Sequence, residues 1–296
     1  MSESPNVDYL RSYDQMAVSA AHRVITTYST SFSLATRLLR PTPRRDICNL
    51  YAMVRIADEI VDGTLEQAGG NHRDCWDCLE RYEQAVLTAP QRRFHVDPVL
   101  HAYALSARRC GFKPDYVRAF FASMRRDLAQ NSHDKSSFDA YVYGSAEVIG
   151  LLCLQAFLVD HPVTEDRRAR LDTGARSLGA AFQKVNFLRD LHQDAAVLGR
   201  SYFPGIDVSA LTDHDKDRLI ADIRADLTQA RAAIPFLPGA VRGGVLAATN
   251  LFSDLTDRID AVPAIALMCT RLSVPIHVKA AIAAKAMVSS SRMRTK

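Results

Sequence analysis

Apolar residues recur at three- and four-residue intervals along most of the chain, in long runs rich in Ala, Leu, Arg, Asp and Glu. No run shows the two-residue alternation of a half-buried strand. The runs stop at clusters of Gly and Pro: RPTPRRD at 40–46, GTLEQAGGN at 63–71, APQRRFHVDP at 89–98, CGFKP at 110–114, DHP at 160–162 and LPG at 237–239. The pattern predicts an all-α protein. No connection is long or polar enough to mark a domain boundary, so residues 1–296 read as one domain. The most apolar stretch, VIGLLCLQAFLV at 148–159, covers 12 residues and contains Gln155. That is well short of the roughly 20 needed to cross a bilayer, and it reads as a core helix.

Two helical runs break the rule that polar residues gather opposite one apolar face. In the first, Tyr51, Arg55, Asp58 and Asp62 follow at steps of 4, 3 and 4; in the second, Gln183, Asn186, Asp190 and Asp194 follow at steps of 3, 4 and 4. Residues between them, such as Met53, Val54, Ile56, Val185, Phe187 and Leu188, are apolar. Each run is therefore a core-like helix with a narrow polar seam, which is how a bundle builds a site in its interior. Residues four apart lie one turn apart on one face, so each D-x-x-x-D pair aims both carboxylates at one place. Four carboxylates in an apolar cleft need cations, and all-oxygen ligands suit Mg²⁺ or Mn²⁺. A single D-x-x-x-D is commonly a solvated face. Two with matching stripes, 132 residues apart, indicate a shared metal-diphosphate site to which both halves of the chain contribute. Arg55 and Arg189 are placed to form paired hydrogen bonds to phosphate oxygens, and Gln183 and Asn186 add donors and acceptors without charge.

Composition narrows the partners. At 48% hydrophobic residues the chain can bury a large core, and a net charge of +4 with basic and acidic residues interleaved argues against nucleic acid. The six cysteines are dispersed; His72, Cys75 and Cys78 form the one tempting cluster, but no further ligand pair stands at zinc-site spacing. The N-terminal MSESPNVDYLRSYDQ has no apolar signal region, so a cytoplasmic protein is expected. The C-terminal VPIHVKAAIAAKAMVSSSRMRTK places Lys279, Lys285, Arg292, Arg294 and Lys296 among small apolar residues, which reads either as a peripheral contact with anionic lipid at the inner face of the membrane or, equally, as a solvated helix end.

Four blocks, YSTSFSLATRLL (28–39), LYAMVRIADEIVDG (50–63), YVYGSAEVIG (141–150) and FQKVNFLRDLHQDAAVLGRSYFP (182–204), resemble in content and order the squalene/phytoene synthase family of head-to-head prenyl synthases. The resemblance implies an isoprenoid synthase bundle with the two aspartate helices facing across a central cavity. It implies prenyl diphosphate substrates. Metal held by Asp58, Asp62, Asp190 and Asp194, with Asn186, would draw diphosphate from one allylic substrate. The second substrate's double bond would capture the cation to give a cyclopropylcarbinyl diphosphate, which ionises and rearranges to a 1'-1 linkage. Tyr141 matches the family's cavity tyrosine. Gly144, Ser145, Ala146 and Gly150 would form a small-residue tunnel wall, with close helix packing as the other reading. Ser29, Ser31 and Phe32 resemble the flap near the diphosphates, where Thr30 replaces a basic residue found in many members. Arg200 matches an arginine that closes over diphosphate. RLSVP at 271–275 is recognisable but receives no role.

Tunnel length would separate C15 from C20 substrates. Thr36 and Cys48 are small for positions facing the tail, which favours the longer substrate. No G-x-G-x-x-G follows a strand, and NADPH is not expected. With FQKVNFLRDL looking most like bacterial carotenoid-pathway members, the expected activity is phytoene synthesis from two geranylgeranyl diphosphates, with a downstream desaturase as a candidate partner. Squalene or dehydrosqualene synthesis is the alternative. Terpene cyclases and chain-elongating prenyltransferases carry D-D-x-x-D or N-S-E type motifs, absent here. Non-enzymatic assembly factors of this fold tend to lose the aspartates, which this chain keeps.

Overall fold

The structure, a computed structural model, describes residues 8–130, 132–191, 202–206 and 210–293, and every regular element among them is helical. In chain order these are α1 (Tyr9–Tyr28), α2 (Thr30–Arg37), α3 (Pro41–Val61), α4 (Thr64–Gln67), α5 (His72–Thr88), α6 (Pro98–Cys110), α7 (Pro114–Ala129), α8 (Lys135–Val142), α9 (Val148–Leu158), α10 (Glu165–Arg189), α11 (Asp213–Ala233), α12 (Gly239–Asp260), α13 (Ala264–Leu267) and α14 (Ile276–Arg292). The Gly and Pro clusters fall at the joints. Pro41, Pro98 and Pro114 open their helices, where a missing N–H costs nothing, and Gly111 ends α6 at φ 63°, a left-handed cap that suits glycine.

The core is divided. Leu50 and Met53 of α3 pack with Leu79, Tyr103, Phe120, Phe121 and Leu152. Val185, Phe187 and Leu188 of α10 pack instead with Tyr141, Ile220, Leu251 and Ile259. The two aspartate helices thus belong to different cores, and the seam lies where those cores meet. Phe32 of α2 bridges them, its ring 6.1 Å from Tyr51 of α3 and 5.5 Å from Phe182 of α10.

Between the cores runs one helical rod, α8 and α9 joined through a π turn at Tyr143–Glu147. At Lys135–Leu158 it is longer than the 12-residue apolar stretch suggested, and long and apolar enough by length and composition to cross a membrane, but most of it is buried inside the protein. A Cβ on Gly144 would strike the Ala119 carbonyl of α7, and one on Gly150 the Ala175 carbonyl of α10; from the other side, Gly179 of α10 abuts the Ala146 carbonyl. The small residues at Gly144, Ala146 and Gly150 let three backbones touch, so for Gly150 the tunnel-wall expectation gives way to helix packing. The π turn is a register adjustment of the kind found at functional sites.

Candidate active site

Asp58 and Asp62 lie at the C-terminal end of α3, where the Asp62 N–H donates to the Asp58 carbonyl at 2.8 Å. Asp58 is enclosed by protein yet keeps 30% of its side chain accessible, the geometry of a group lining a cleft. Burial, then Asp62, and then the more distant Asp127 and Glu59 push its carboxyl well above the ordinary carboxylate range. Arg55, 3.9 Å from Asp58, opposes this by more than Asp127 or Glu59 adds, but not by enough to outweigh burial and Asp62. Its guanidinium is committed to Glu59, with Nε at 2.8 Å, and lies over the Tyr28 ring at 4.4 Å. The expected diphosphate arginine is thus paired, within the same helix, to a residue the seam did not include. Burial raises the Tyr51 phenol to about 12, and Ser29 hydrogen-bonds to it.

The seam on α10 has the opposite character. Asp190 accepts from Arg189 Nε at 3.0 Å and from Arg271 Nε at 2.6 Å. Burial works against its charge, but these two guanidiniums hold its carboxyl below the usual range. One turn back, Asn186 Oδ1 is buried with no hydrogen-bond partner. Gln183 is half-buried on the same face. Lys279 of α14 is 7% exposed, and its ammonium donates to Thr30 Oγ1 at 2.5 Å. Burial and the charge of Arg189 lower its proton affinity. An ammonium therefore stands beside Thr30, the flap position at which the resemblance expects a basic side chain. Ser29 caps α2 by accepting from the Phe32 N–H at 3.1 Å, and Ser31 is half-buried beside it. Asp194 and Arg200 lie outside the described residues.

A further carboxylate links the tyrosines of the site. Asp127 of α7 accepts from the Tyr141 hydroxyl at 2.9 Å and from the Tyr202 hydroxyl at 3.3 Å. Burial and Asp127 push the Tyr141 phenol far above its ordinary range, so it stays a neutral donor. Around it, Phe187 stacks on Tyr202 at 4.0 Å, and the His133 ring lies parallel to Tyr202 at 5.8 Å. Phe182 stacks on Phe252 at 3.8 Å. Aromatic rings gathered in this way form a polarisable surround that suits positive charge on carbon. Thr36 and Cys48 are both buried and meet each other, and burial lifts the Cys48 thiol to about 11. Ser145 Oγ is enclosed without a partner.

Among the described residues no three carboxylate, His or Cys side chains form a ready-made metal cluster; His72 contacts the Leu128 carbonyl at 2.8 Å instead, and Cys75 is a buried free thiol. The donors nonetheless fit a hard divalent cation. Asp58 is short of positive charge, and the Asn186 oxygen is a buried acceptor without a donor.

Sequence reasoning missed Asp127, Tyr202, Arg271 and Lys279. Asp127 did leave a signal, since it continues the buried stripe Val117, Phe120, Met124 at steps of 3, 4 and 3, a carboxylate at a core position. Arg271 and Lys279 left none, because each looks like a surface charge until the chain folds back on α10 and α2.

Comparison with known proteins agrees with this geometry. The chain is 29% identical over 220 residues to a presqualene diphosphate synthase of Sinorhizobium fredii, covering 70% of each chain. It is 32% identical over 196 residues to a 15-cis-phytoene synthase of a Paracoccus species, covering 64% of this chain and 60% of that one. Its fold superposes on the crystal structure of a dehydrosqualene synthase with a TM-score of 0.77 at 18% identity, covering 96% of this chain and 99% of the other. On the squalene synthase HpnC from Alicyclobacillus acidocaldarius it superposes with a TM-score of 0.68 at 18% identity, covering 83% and 94%. Both solved structures share the isoprenoid synthase fold expected from the sequence. The family model described as squalene/phytoene synthase matches residues 25–277, and the chain belongs to that family.

Proposed function

We propose that the protein condenses two geranylgeranyl diphosphates head to head, through a cyclopropylcarbinyl diphosphate, to phytoene with release of diphosphate. The observation that carries the reading is the charge asymmetry of the seam: carboxylates short of positive charge at Asp58, and an excess of cationic donors around Asp190. Mg²⁺ or Mn²⁺ would be held by Asp58, Asp62, Asn186, Asp190 and Asp194, and when bound it supplies the positive charge that lets diphosphate leave. Arg189, Arg271 and Lys279 offer donors to diphosphate oxygens, Arg in paired form. The aromatic cluster of Tyr141, Phe187 and Tyr202 gives the reacting end of the substrate an apolar, polarisable surround.

Tyr141 gives its hydroxyl hydrogen to Asp127, so its oxygen lone pairs point elsewhere. When a C–H proton leaves the substrate cation, Tyr141 Oη can take it while passing its own proton to Asp127 Oδ2. The phenol stays neutral, as its buried setting requires.

Two features support the C20 substrate: the small buried pair Thr36 and Cys48, and the 15-cis-phytoene synthase relative. The presqualene diphosphate synthase relative supports a C15 reading. Purified protein with Mg²⁺, offered farnesyl and geranylgeranyl diphosphates separately with and without NADPH, decides between them. A C40 hydrocarbon formed from the C20 substrate without NADPH is expected. A C30 product would replace the reading with squalene or dehydrosqualene synthesis, and no hydrocarbon from either would end it.

A further inference from the structure

We infer that the loop Arg92–Asp97, together with the exposed face of α1, docks on the surface of an anionic lipid bilayer. Two large apolar side chains stand out from this loop, Phe94 at 52% and Val96 at 84% exposure. Single exposed apolar residues are ordinary. These two differ because their backbone is pinned outward.

The Tyr13 hydroxyl donates to the carbonyls of His95 at 3.0 Å and Val96 at 2.8 Å. The His95 N–H donates to Nδ1 of the fully buried His101 at 3.2 Å, which leaves the His101 proton on Nε2 to bond Asp14 at 2.7 Å. The His95 ring nitrogen lies 3.0 Å from the Ala89 carbonyl, and Arg108 donates to the Arg92 carbonyl at 2.6 Å. A loop pinned by Tyr13 of α1, by His101 and Arg108 of α6 and by the Ala89 carbonyl cannot collapse to hide its apolar tips. α1 extends the strip: the Tyr13 ring is 4.9 Å from Phe94, and Tyr9 and Met16, on the same face as Tyr13, are 80% and 45% exposed.

Charge selects the occupant. Arg92 and Arg93 flank Phe94, and Arg108 lies close enough to Arg93 that, after burial, Arg93 is the main group lowering its proton affinity. None of the ion pairs among the described residues involves these three arginines. Of the nearby carboxylates, Asp14 bonds His101 and acts on Arg108 less than Arg93 does, and Asp97 accepts from the amides of Val99 and Leu100 that open α6. Protruding apolar tips beside the exposed Arg92 and Arg93 match acyl chains beneath anionic headgroups. The patch also lies at the end of α1 away from the seam. Tyr28, over which Arg55 lies, is 15 residues beyond Tyr13, about 22 Å at helical rise, so docking leaves the charged site clear of the headgroups. The C-terminal helix is the weaker surface, because Lys279 is turned inward to Thr30.

The test is flotation of the full chain with vesicles of equal parts phosphatidylcholine and phosphatidylglycerol, and with phosphatidylcholine alone. The protein is expected to float with the acidic vesicles only and to be released by high salt. F94S/V96S and R92S/R93S should each lose on the order of 10-fold in partitioning, while K285S/R292S floats like the parent. All altered side chains point to solvent, so unchanged thermal midpoints show that the variants fold. Failure of the parent to float, or flotation of both loop variants at parental level, overturns the inference. So does loss of flotation in the C-terminal variant alone. Sedimentation velocity without lipid covers the competing occupant: a parental dimer that the loop variants dissociate, with no flotation, makes the patch an interface between copies and rejects the bilayer. None of these readouts depends on which prenyl diphosphate the site accepts.

Discussion

The two aspartate helices carry the same D-x-x-x-D spacing and opposite electrostatics. On α3, Asp58 faces burial, Asp62 and Asp127, while the nearest guanidinium is committed to Glu59. On α10, Asp190 is gripped by Arg189 and Arg271, with Lys279 close behind. Identical motifs therefore do different work. The first seam carries a carboxyl whose charge the fold disfavours, and the second already holds guanidiniums beside its carboxylate; under the proposed function the first would take a cation and the second would offer donors to a diphosphate.

The comparison is most exposed to paired substitutions. Asp58→Asn and Asp190→Asn are each expected to cut turnover at least ~100-fold by removing a proposed metal ligand. Their metal-free thermal midpoints should nonetheless move apart. Asp58→Asn should rise, because it removes a carboxylate whose charge the fold disfavours. Asp190→Asn should fall, because two guanidiniums lose their partner. A kcal/mol at this chain length is worth about 2 °C, within reach of calorimetry. Midpoints shifting in the same direction would break the contrast.

The pH dependence sharpens it. The Asp58 carboxyl is raised, so its favourable contribution is complete below the unfolded carboxylate range and lost as pH rises through the folded value. Asp190 is lowered, so its contribution is present above the unfolded range and lost as pH falls through the folded value. Metal-free protein should thus gain stability from Asp58→Asn mainly as pH rises toward and above the folded value. Saturating Mg²⁺ should raise the parental midpoint there and leave Asp58→Asn nearly unmoved. A variant that responds to Mg²⁺ as the parent does would separate Asp58 from the metal.

Smaller effects test the groups that link the seams. Asp127→Asn keeps one oxygen acceptor, which can serve Tyr141 while its NH2 faces the Tyr202 oxygen, but it cannot take a proton, so kcat should fall ~10- to 100-fold with KM little changed. Rising KM at constant kcat would make Asp127 a substrate-binding group instead. Lys279→Met should raise KM roughly 10-fold through loss of a charge-assisted contact, and Thr30→Lys in the same chain should restore part of it. No rescue would mean that Lys279 only anchors α14. Gly150→Ala should leave product length unaltered and cost about 1–3 kcal/mol from the clash with α10; a shortened product with unchanged stability would return Gly150 to the tunnel wall.

Much of this was legible in the residues. The helical class, the joints at Gly and Pro, and the stripes Tyr51, Arg55, Asp58, Asp62 and Gln183, Asn186, Asp190 could be read because they depend on neighbours within about one turn. Arg55 was placed on the right face but assigned to diphosphate, since nothing in the spacing shows that Glu59 and Tyr28 take its guanidinium. Gly150 allowed two readings, and only the position of the Ala175 carbonyl separated them.

By itself, then, the sequence determined which helices form and which face of each is polar, because periodicity is a local property of the backbone. The tertiary structure alone decided which charges meet. Arg271 reaches Asp190 across 81 residues, and Lys279 reaches Thr30 across 249. A carboxylate's protonation answers to whatever charges stand within a few ångströms and to how much water has been excluded, and neither is set by the residues beside it in the chain.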